Sequence, residues 1–542
     1  MKKSGFLSTF YQPRIFWLFL AVLSIAGGFI VFYCTAVAPW AFSDSTVYLA
    51  AGVNWIEGNG MGFLQADGTF AHLTHYPPGY PVLIGLTTLL LPDPVAAARW
   101  INILSFTLLI FLGGVLLHRI TRSSWLPVFN AILLLFCPFL LVPFSGVMSE
   151  APAILAGTLA LLSLAFFIKE ERKWQLVLAG LLSLAALFIR YQQAAVLLTG
   201  GVFLLFFGRK TWRTRLKDTA LYALIAAGPF VLWYILDGLS APGGGARILG
   251  LNGAPGEITR RFLANTFDSV KFWFPWRTGL LPGVNASIVR GFLVLLFITF
   301  LGIASKRTWK RRGQLGVKTA VVSLAIISFL FLVTDLFFLW VAMLFAAPPP
   351  DIDNRMLSPL LPLIFILILS LELLASSAFH GRALAPLVMA ATVALFCLVF
   401  APQVKTYAVE MHGYGEGYTS LTFKDSPFIA RIKTLSAQGS IVTNSPALVQ
   451  FFTLIEPYRT FDNPDDPALT TSSMFGDQAT EAQTLFRERC APLVIFDPDL
   501  AYRYNPESAL YFPAEAQKLT SGLDEITSDK LGKIYLYPGC SD

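Results

Sequence analysis

The sequence predicts an α-helical polytopic membrane protein with a small C-terminal extracytoplasmic α/β domain, and two observations carry that prediction. Of the 542 residues, 55% are hydrophobic and only 13% are charged, whereas a soluble domain carries about 25% charge. Apolar runs long enough to cross a bilayer recur as far as residue 404, and none follows. A chain this apolar cannot hide its surface from water as one soluble globule, so lipid must be its solvent.

Apolar runs of roughly 17–25 residues mark about eleven membrane-spanning helices. The first run follows basic residues and is longer than the apolar region of a secretory signal, so we predict that it is retained as the first span. The predicted spans are 14–37, 95–117, 125–144, 150–168, 174–190, 193–208, 218–238, 287–304, 318–344, 356–375 and 384–402.

Basic residues orient these spans, because cytoplasmic loops carry the excess of lysine and arginine. Residues 38–94, the first outer loop, contain neither residue type. The pattern predicts a cytoplasmic N-terminus and, with an odd number of spans, an extracytoplasmic C-terminus, in the cell membrane. It also accounts for the net charge of +7, so we predict no binding to nucleic acid. The basic loop residues are Lys2, Lys3, Arg119, Arg122, Lys169, Arg172, Lys173, Arg209, Lys210, Arg213, Arg215, Lys217, Lys306, Arg307, Lys310, Arg311, Arg312 and Arg382.

The apolar segment 77–92 is ambiguous, because it is short for a span. If it crossed the membrane, every later loop would change sides and the charge bias would be lost. We therefore predict a juxtamembrane or re-entrant helix on the outer face.

The chain changes character after residue 404, which predicts a transmembrane domain over 1–404 and an extracytoplasmic domain over 405–542. Helical patterns near 426–437 and in SPALVQFF and DQATEAQTLFRER alternate with strand-like SIVTN, PLVIFD and KIYLYP, which is typical of an α/β fold. Cys490 and Cys540 flank the last two strands on the predicted oxidising side. We expect them to form a disulfide, the alternative being two free thiols.

The first outer loop holds most of the residues that suggest chemistry. Asp44 follows the first span, and Tyr48 lies one helical turn later, on the same face. The alternatives are that Ser43 or Asp44 caps the following helix and that Tyr48 is an interfacial anchor. His75 and Tyr76 precede a double proline that fixes a turn and opens a helix; packing at the interface is their alternative.

Three further charged residues lie at outer ends of spans. Glu150 opens the fourth span, where capping together with Ser149 is the alternative role. Arg190 ends the fifth span and Arg355 precedes the tenth, on the face where loop cations are sparse. Each arginine either snorkels or binds a phosphate, whose oxygens suit a planar guanidinium. Together these side chains predict a pocket for an anionic substrate whose body lies in lipid.

At these residues the chain resembles the GT-C glycosyltransferases and is similar to the lipid A aminoarabinose transferases and the protein O-mannosyltransferases. The resemblance rests on D-x-x-x-Y (Asp44, Tyr48), the double-proline turn (Pro77, Pro78, Pro81), the acid after the third span (Glu150), the arginine before a late span (Arg355) and the C-terminal outer domain. Two positions depart from the pattern: His75-Tyr76 stands where the lipid A enzymes have Glu-Lys, and Asp44-Ser45 where the protein mannosyltransferases have Asp-Glu.

The resemblance implies an inverting transfer of a hexose or pentose from a polyprenyl-phosphate donor to a lipid, glycan or protein acceptor at the outer face. Asp44 would be the base or the carboxylate that orients the acceptor, and Glu150 would assist. Arg355, with Arg190 or Tyr48, would hold the donor phosphate, and His75 and Tyr76 would line the site. A divalent metal is possible but not required, with Asp44, His75 and Glu150 as candidate ligands.

Two other functions compete with this prediction. A transporter or lipid flippase would show related halves or broken helices at mid-membrane, but the sequence shows no internal repeat and its charged candidates cluster at one face. A membrane scaffold without catalytic activity is the remaining alternative. An Asp44→Asn variant separates the enzyme from the transporter, because it should abolish transfer and leave folding and lipid binding largely intact.

Overall fold

The computed structural model describes residues 13–73, 75–208, 211–240, 248–273, 316–347, 349–376, 384–459, 479–497 and 520–540. Within them the fold is mainly helical. Six helices are long and apolar enough to cross a membrane. In chain order, with their labels, they are α1 (Pro13–Cys34), α4 (Pro94–Thr121), α7 (Glu150–Glu170), α10 (Trp212–Ser240), α12 (Gly316–Phe345) and α15 (Leu384–Tyr414).

Five shorter helices lie at four other predicted spans. α5 (Trp125–Leu135) and α6 (Pro138–Phe144) are bent by 71° and count as a seventh span if taken together. The bend falls at Pro138, which cannot donate the hydrogen bond that a continuous helix needs. α8 (Lys173–Ile189), α9 (Ala194–Phe207) and α14 (Leu360–Ser376) are apolar helices of 14 to 17 residues. The predicted span 287–304 lies outside the described residues.

The helix α7 is the centre of the bundle, and nearly all of its residues are buried. The outer helices instead expose large apolar side chains, as faces in contact with lipid should. In α1 these include Leu18 and Ile25, and in α15 Leu398.

The ambiguous segment 77–92 forms α3 (Gly79–Thr88), a helix of ten residues. At 1.5 Å per residue it is about 15 Å long, which is half the thickness of a bilayer core. Its first residue explains its position, because a Cβ on Gly79 would lie 2.6 Å from the Phe188 carbonyl oxygen. The absence of a side chain therefore lets this turn approach the end of α8.

The first outer loop also contains α2 (Ser43–Ile56) and a hairpin of β1 (Gly62–Gln65) and β2 (Phe70–His72), which the sequence analysis missed. β1 pairs in parallel with β6 (Ile455–Glu456) of the C-terminal region. The Ser440 hydroxyl donates to the Ala66 carbonyl at 2.8 Å. The hairpin thus joins the outer loop to the last part of the chain.

The last span is longer than predicted, because α15 continues from residue 402 to Tyr414 with Pro402 inside it. The extension packs on α1, where the rings of Tyr33 and His412 stack with centroids 4.0 Å apart. The predicted domain boundary between residues 404 and 405 therefore falls inside a helix.

Beyond α15 lies a five-stranded sheet of order β7-β5-β8-β10-β9. Its parallel strands are β5 (Val442–Thr443), β7 (Tyr458–Arg459) and β8 (Leu493–Phe496), and its antiparallel strands are β9 (Asp524–Asp529) and β10 (Gly532–Leu536). The helices of this region are α16 (Leu421–Lys424), α17 (Pro427–Gln438), α18 (Pro446–Thr453) and α19 (Ala479–Glu488). Cys490 is bonded to Cys540, which confirms the expected disulfide.

A few short elements complete the membrane region. α11 (Pro255–Val270) precedes α12, and β3 (Ile248–Leu249) pairs with β4 (Ala346–Ala347) at the end of α12. α13 (Asn354–Leu357) is a single turn, in which the Asp353 carboxylate accepts from the Met356 N–H at 2.7 Å. This cap fixes the orientation of the turn that carries Arg355.

Candidate active site

Five parts of the chain meet at one end of the bundle, and each brings a charged or phenolic side chain. They are the starts of α2 and α7, the turn before α3, the end of α8 and the single turn α13. The Ser45 hydroxyl links the first two, because it accepts from the Phe42 N–H at 3.1 Å and donates to the Val147 carbonyl at 2.9 Å. This link places Asp44 beside the N-terminus of α7.

Asp44 lies in the first turn of α2 but does not cap it, nor does Ser43; the N-cap position is Phe42. One carboxylate oxygen accepts from the Tyr76 hydroxyl at 2.8 Å, and the other lies 3.4 Å from Arg355 Nη1. The side chain of Asp44 is 29% exposed and that of Arg355 is 28% exposed. This pair therefore faces an accessible space and not the protein core.

Glu150 lies behind that pair, and its side chain is completely buried. Its two oxygens lie 3.2 Å from Arg190 Nη1 and 3.5 Å from Arg355 Nε. A buried carboxylate without such partners would be strongly unfavourable, so the two arginines compensate its charge. Asp44 and Glu150 thus contact the same guanidinium, that of Arg355.

Arg355 is the central cation of the site. Burial by itself lowers its pKa, but the negative charges of Glu150, Asp44 and Asp353 outweigh burial and raise the pKa above its ordinary value. The guanidinium is therefore charged at every physiological pH. Its fixed planar shape suits two oxygens of one phosphate.

Arg190 is more deeply placed, with 13% of its side chain exposed. Besides Glu150 it contacts the Ser149 hydroxyl at 3.2 Å and donates from Nε to the Gln192 amide oxygen at 3.2 Å. These contacts use several of the hydrogen-bond donors of Arg190, so this residue stabilises the buried side of the site.

Tyr48 forms the wall of the site with Tyr76 and Tyr80, whose rings meet it edge to face at 4.9 and 5.2 Å. Its hydroxyl is buried 3.4 Å from Ser149 Oγ. Burial, reinforced by the negative charge of Asp44, raises the pKa of Tyr48 well above its ordinary value, so the phenol stays protonated. Tyr48 therefore belongs to the buried wall of the site beside Asp44.

His75 reaches the cluster through its neighbour, since its ring packs edge to face on Tyr76 at 4.8 Å. No three His, Cys, Asp or Glu side chains gather at a spacing suited to a metal ion in the described parts of the chain. Asp44 and Glu150 are instead turned towards arginines. Asp44, His75 and Glu150 therefore do not form a set of donors that fits a divalent metal ion.

Two functional candidates were missed by the sequence analysis. Gln192 donates to both oxygens of Asp335 at 3.1 Å and to the Met356 carbonyl at 2.8 Å. Asp335 is fully buried within the span α12. A lone acid in a long apolar run is a functional signal in a membrane protein, so the sequence did contain the information needed to find it.

The fold and the site together define a class: a multi-pass helical protein with an acid–arginine cluster at one end of its bundle. Residues 75–233 match the family model described as dolichyl-phosphate-mannose-protein mannosyltransferase. That range includes His75, Tyr76, Glu150 and Arg190, and excludes Asp44 and Arg355.

Among solved structures, the chain is similar to ArnT from Cupriavidus metallidurans bound to undecaprenyl phosphate. Identity is 14%, the TM-score is 0.53, and the match covers 96% of this chain and 97% of that chain; the apo form gives the same values. The Archaeoglobus fulgidus oligosaccharyltransferase in complex with zinc and sulfate matches with a TM-score of 0.48 and 11% identity, over 95% of this chain and 73% of that one. No curated protein matches the chain. The fold and the family match confirm the resemblance to the GT-C superfamily.

Proposed function

We propose that this protein is a membrane glycosyltransferase that moves a sugar from a polyprenyl-phosphate donor to an acceptor at the extracytoplasmic face. One observation carries the proposal. A partly exposed carboxylate, Asp44, contacts a partly exposed arginine, Arg355, above the buried Glu150. Glycosyl transfer needs a base for the acceptor and fixed positive charge for the leaving phosphate, and this pair supplies both.

Arg355 is the group that meets the donor phosphate. Its Nη1 is engaged by Asp44 at 3.4 Å, a separation longer than that of a strong charged hydrogen bond. A phosphate that binds Arg355 therefore competes with Asp44 and leaves this carboxylate facing the acceptor. The lipid tail of the donor remains in the bilayer beside the bundle.

Asp44 is the proposed catalytic base. The acceptor oxygen attacks the anomeric carbon while its proton passes to Asp44. The bond from that carbon to the phosphate oxygen breaks, and polyprenyl phosphate leaves with the electron pair. A single displacement of this kind inverts the configuration of the sugar. The Tyr76 hydroxyl, 2.8 Å from Asp44, orients the carboxylate.

Glu150 and Arg190 are positioning residues in this scheme. The fully buried Glu150 fixes the Arg355 guanidinium through Nε, and Arg190 compensates the remaining charge of Glu150. The side of the reaction follows from the loop charges, which predict that this end of the bundle is extracytoplasmic. The division into domains 1–404 and 405–542 remains part of the prediction.

Mass spectrometry of lipid-linked sugars tests the proposal. Membranes from cells that express the wild-type protein, the Asp44→Asn variant or no protein are compared. We expect only the wild type to deplete one polyprenyl-phosphate sugar and to add the same sugar to a lipid, glycan or protein. Equal depletion by the Asp44→Asn variant would contradict the role of Asp44. A donor that changes leaflet without being consumed would identify a flippase and overturn the proposal.

A further inference from the structure

A second charged cavity lies at the opposite end of the bundle. The helix α7 connects the two ends: it has 21 residues, Glu150 begins it, and Lys169 and Glu170 end it. At 1.5 Å per residue they are about 30 Å apart, the thickness of a bilayer core. The cavity has a volume of about 380 Å³ and is lined by the ends of α4 and α7 and the start of α8. The loop charges predict that this end is cytoplasmic.

The cavity is strongly basic. Arg119, Arg122, Lys169 and Arg172 line it, against a single carboxylate, Glu170. That carboxylate lies 3.5 Å from Arg172 Nε, so one cation is compensated. Among the described residues, no carboxylate pairs with Arg119 or Arg122. The cavity therefore presents a net positive charge to an anionic ligand.

The local backbone fixes where these cations lie. Arg122 ends α4 in a left-handed conformation with φ of 56°, and its N–H donates to the His118 carbonyl at 2.7 Å. Lys169 donates from Nζ to the Arg119 carbonyl, which joins the end of α7 to the end of α4. The opening between these helices is thus held in place by hydrogen bonds.

An apolar track leaves the cavity along α8. Trp174, which lines the cavity, is 50% exposed, and it is followed by Val177, Leu178 and Leu181, each also exposed. Their spacing of three, four and seven residues places them on one face of the helix. This exposed face runs along α8 from the cavity towards the middle of the membrane, which is the depth of the acyl chains.

We propose that the cavity binds the phosphate headgroup of an anionic phospholipid of the cytoplasmic leaflet. The headgroup contacts Arg119 and Arg122, and an acyl chain lies along the track that begins at Trp174. Basic cavities between helices on the cytoplasmic side are suited to anionic headgroups. The continuous apolar track favours a lipid over a soluble phosphate, which would leave that track without a partner.

The test uses the full-length protein in nanodiscs or detergent. Lipid binding is measured by native mass spectrometry and by thermal unfolding, with phosphatidylglycerol and phosphatidylcholine of identical acyl chains. We expect phosphatidylglycerol to bind and to raise the unfolding temperature, and phosphatidylcholine to do neither. An Arg119→Gln, Arg122→Gln double variant should bind phosphatidylglycerol about 25-fold more weakly, since each basic residue contributes about fivefold.

The matched control is an Arg213→Gln, Lys217→Gln double variant. It removes the same charge from exposed positions of α10 that do not line the cavity, so it should bind as the wild type does. Equal loss in both double variants would show a general charge effect and overturn the site.

Inorganic phosphate distinguishes the two possible sources of the anion. A rise in unfolding temperature with phosphate alone, lost in the Arg119→Gln, Arg122→Gln variant, would indicate a soluble anion and contradict the lipid proposal. If that double variant loses its monodisperse elution profile, the single variants Arg119→Gln and Arg122→Gln give the same comparison. Unchanged phosphatidylglycerol binding in both would overturn the proposal.

Discussion

The arginines at the two ends of the bundle differ in their exposure and in the carboxylates that they contact. At the candidate active site, Arg190 and Arg355 both contact the buried Glu150, and their side chains are 13% and 28% exposed. At the opposite end Arg119 and Arg122 are exposed, and no carboxylate of the described residues pairs with them. A guanidinium held by a buried partner recognises one group in one orientation, whereas an exposed one adapts to a headgroup in a fluid leaflet.

This comparison predicts that charge changes at the first end alter turnover or folding, while changes at the second alter lipid binding. The largest effect is expected for Asp44→Asn, which removes the base and keeps the shape of the side chain. Loss of a general base costs about 10²–10⁴-fold in rate. Turnover of the donor identified by mass spectrometry, measured with purified protein, should fall by this factor.

The control for this variant is Asp67→Asn. Asp67 lies exposed in the turn of the β1–β2 hairpin, where it accepts from the Thr69 N–H at 2.7 Å. An asparagine retains that acceptor, so turnover should stay at the wild-type rate. If both variants lose activity equally, the defect is in folding and Asp44 is not the base.

The second effect concerns stability. Glu150→Gln removes the buried charge and leaves Arg190 and Arg355 close together without compensation. Removing one partner of a buried ion pair costs about 3–5 kcal/mol. We expect a clear drop in unfolding temperature in detergent. An unchanged unfolding temperature would mean that solvent already screens the two arginines and that Glu150 has no positioning role.

The third effect is on donor binding. Arg355→Gln removes the cation that meets the phosphate, which should weaken binding by about 1.5–3 kcal/mol. Titration with the polyprenyl-phosphate donor measures this loss. The control is Arg99→Gln, at the same end of the bundle, where Arg99 donates from Nε to Thr35 Oγ1 and from Nη2 to the Phe32 carbonyl, both at 3.0 Å. Equal weakening in the two variants would contradict a specific phosphate contact.

At ten of the eleven predicted spans the described residues form helices, and six of these helices are long and apolar enough to cross a membrane. The sequence was sufficient to place them because a run of apolar residues is a local property. It was not sufficient for the hairpin, since β1 and β2 are short and β1 pairs with β6, almost 400 positions away in the chain. The same limit applies to the end of α15, whose extension past Pro402 depends on packing against Tyr33 of α1.

Within the site, the sequence indicated which charged residues lie at the outer ends of spans, and the structure brings most of them together. The sequence did not indicate which acidic residue contacts which arginine. The position of Glu150 between two arginines and the link from Ser45 to Val147 both depend on tertiary contacts. Asp335 lies inside the predicted span 318–344, whereas the predicted site residues all lie in loops or at the ends of spans.

Asp335 gives the smallest predicted effect and the sharpest test of how far the site extends. Its carboxylate accepts from Gln192, whose own amide oxygen accepts from Arg190. Asp335→Asn weakens this series of hydrogen bonds. A hydrogen bond to a charged group is worth about 1.5–3 kcal/mol, and part of this free energy should be lost from donor binding. The control is Glu372→Gln, another buried acid in an apolar helix, which accepts from Thr392 at 2.5 Å. Both variants should lower the unfolding temperature, but only Asp335→Asn should weaken donor binding. If the two variants bind the donor equally well, the site is confined to the residues around Glu150.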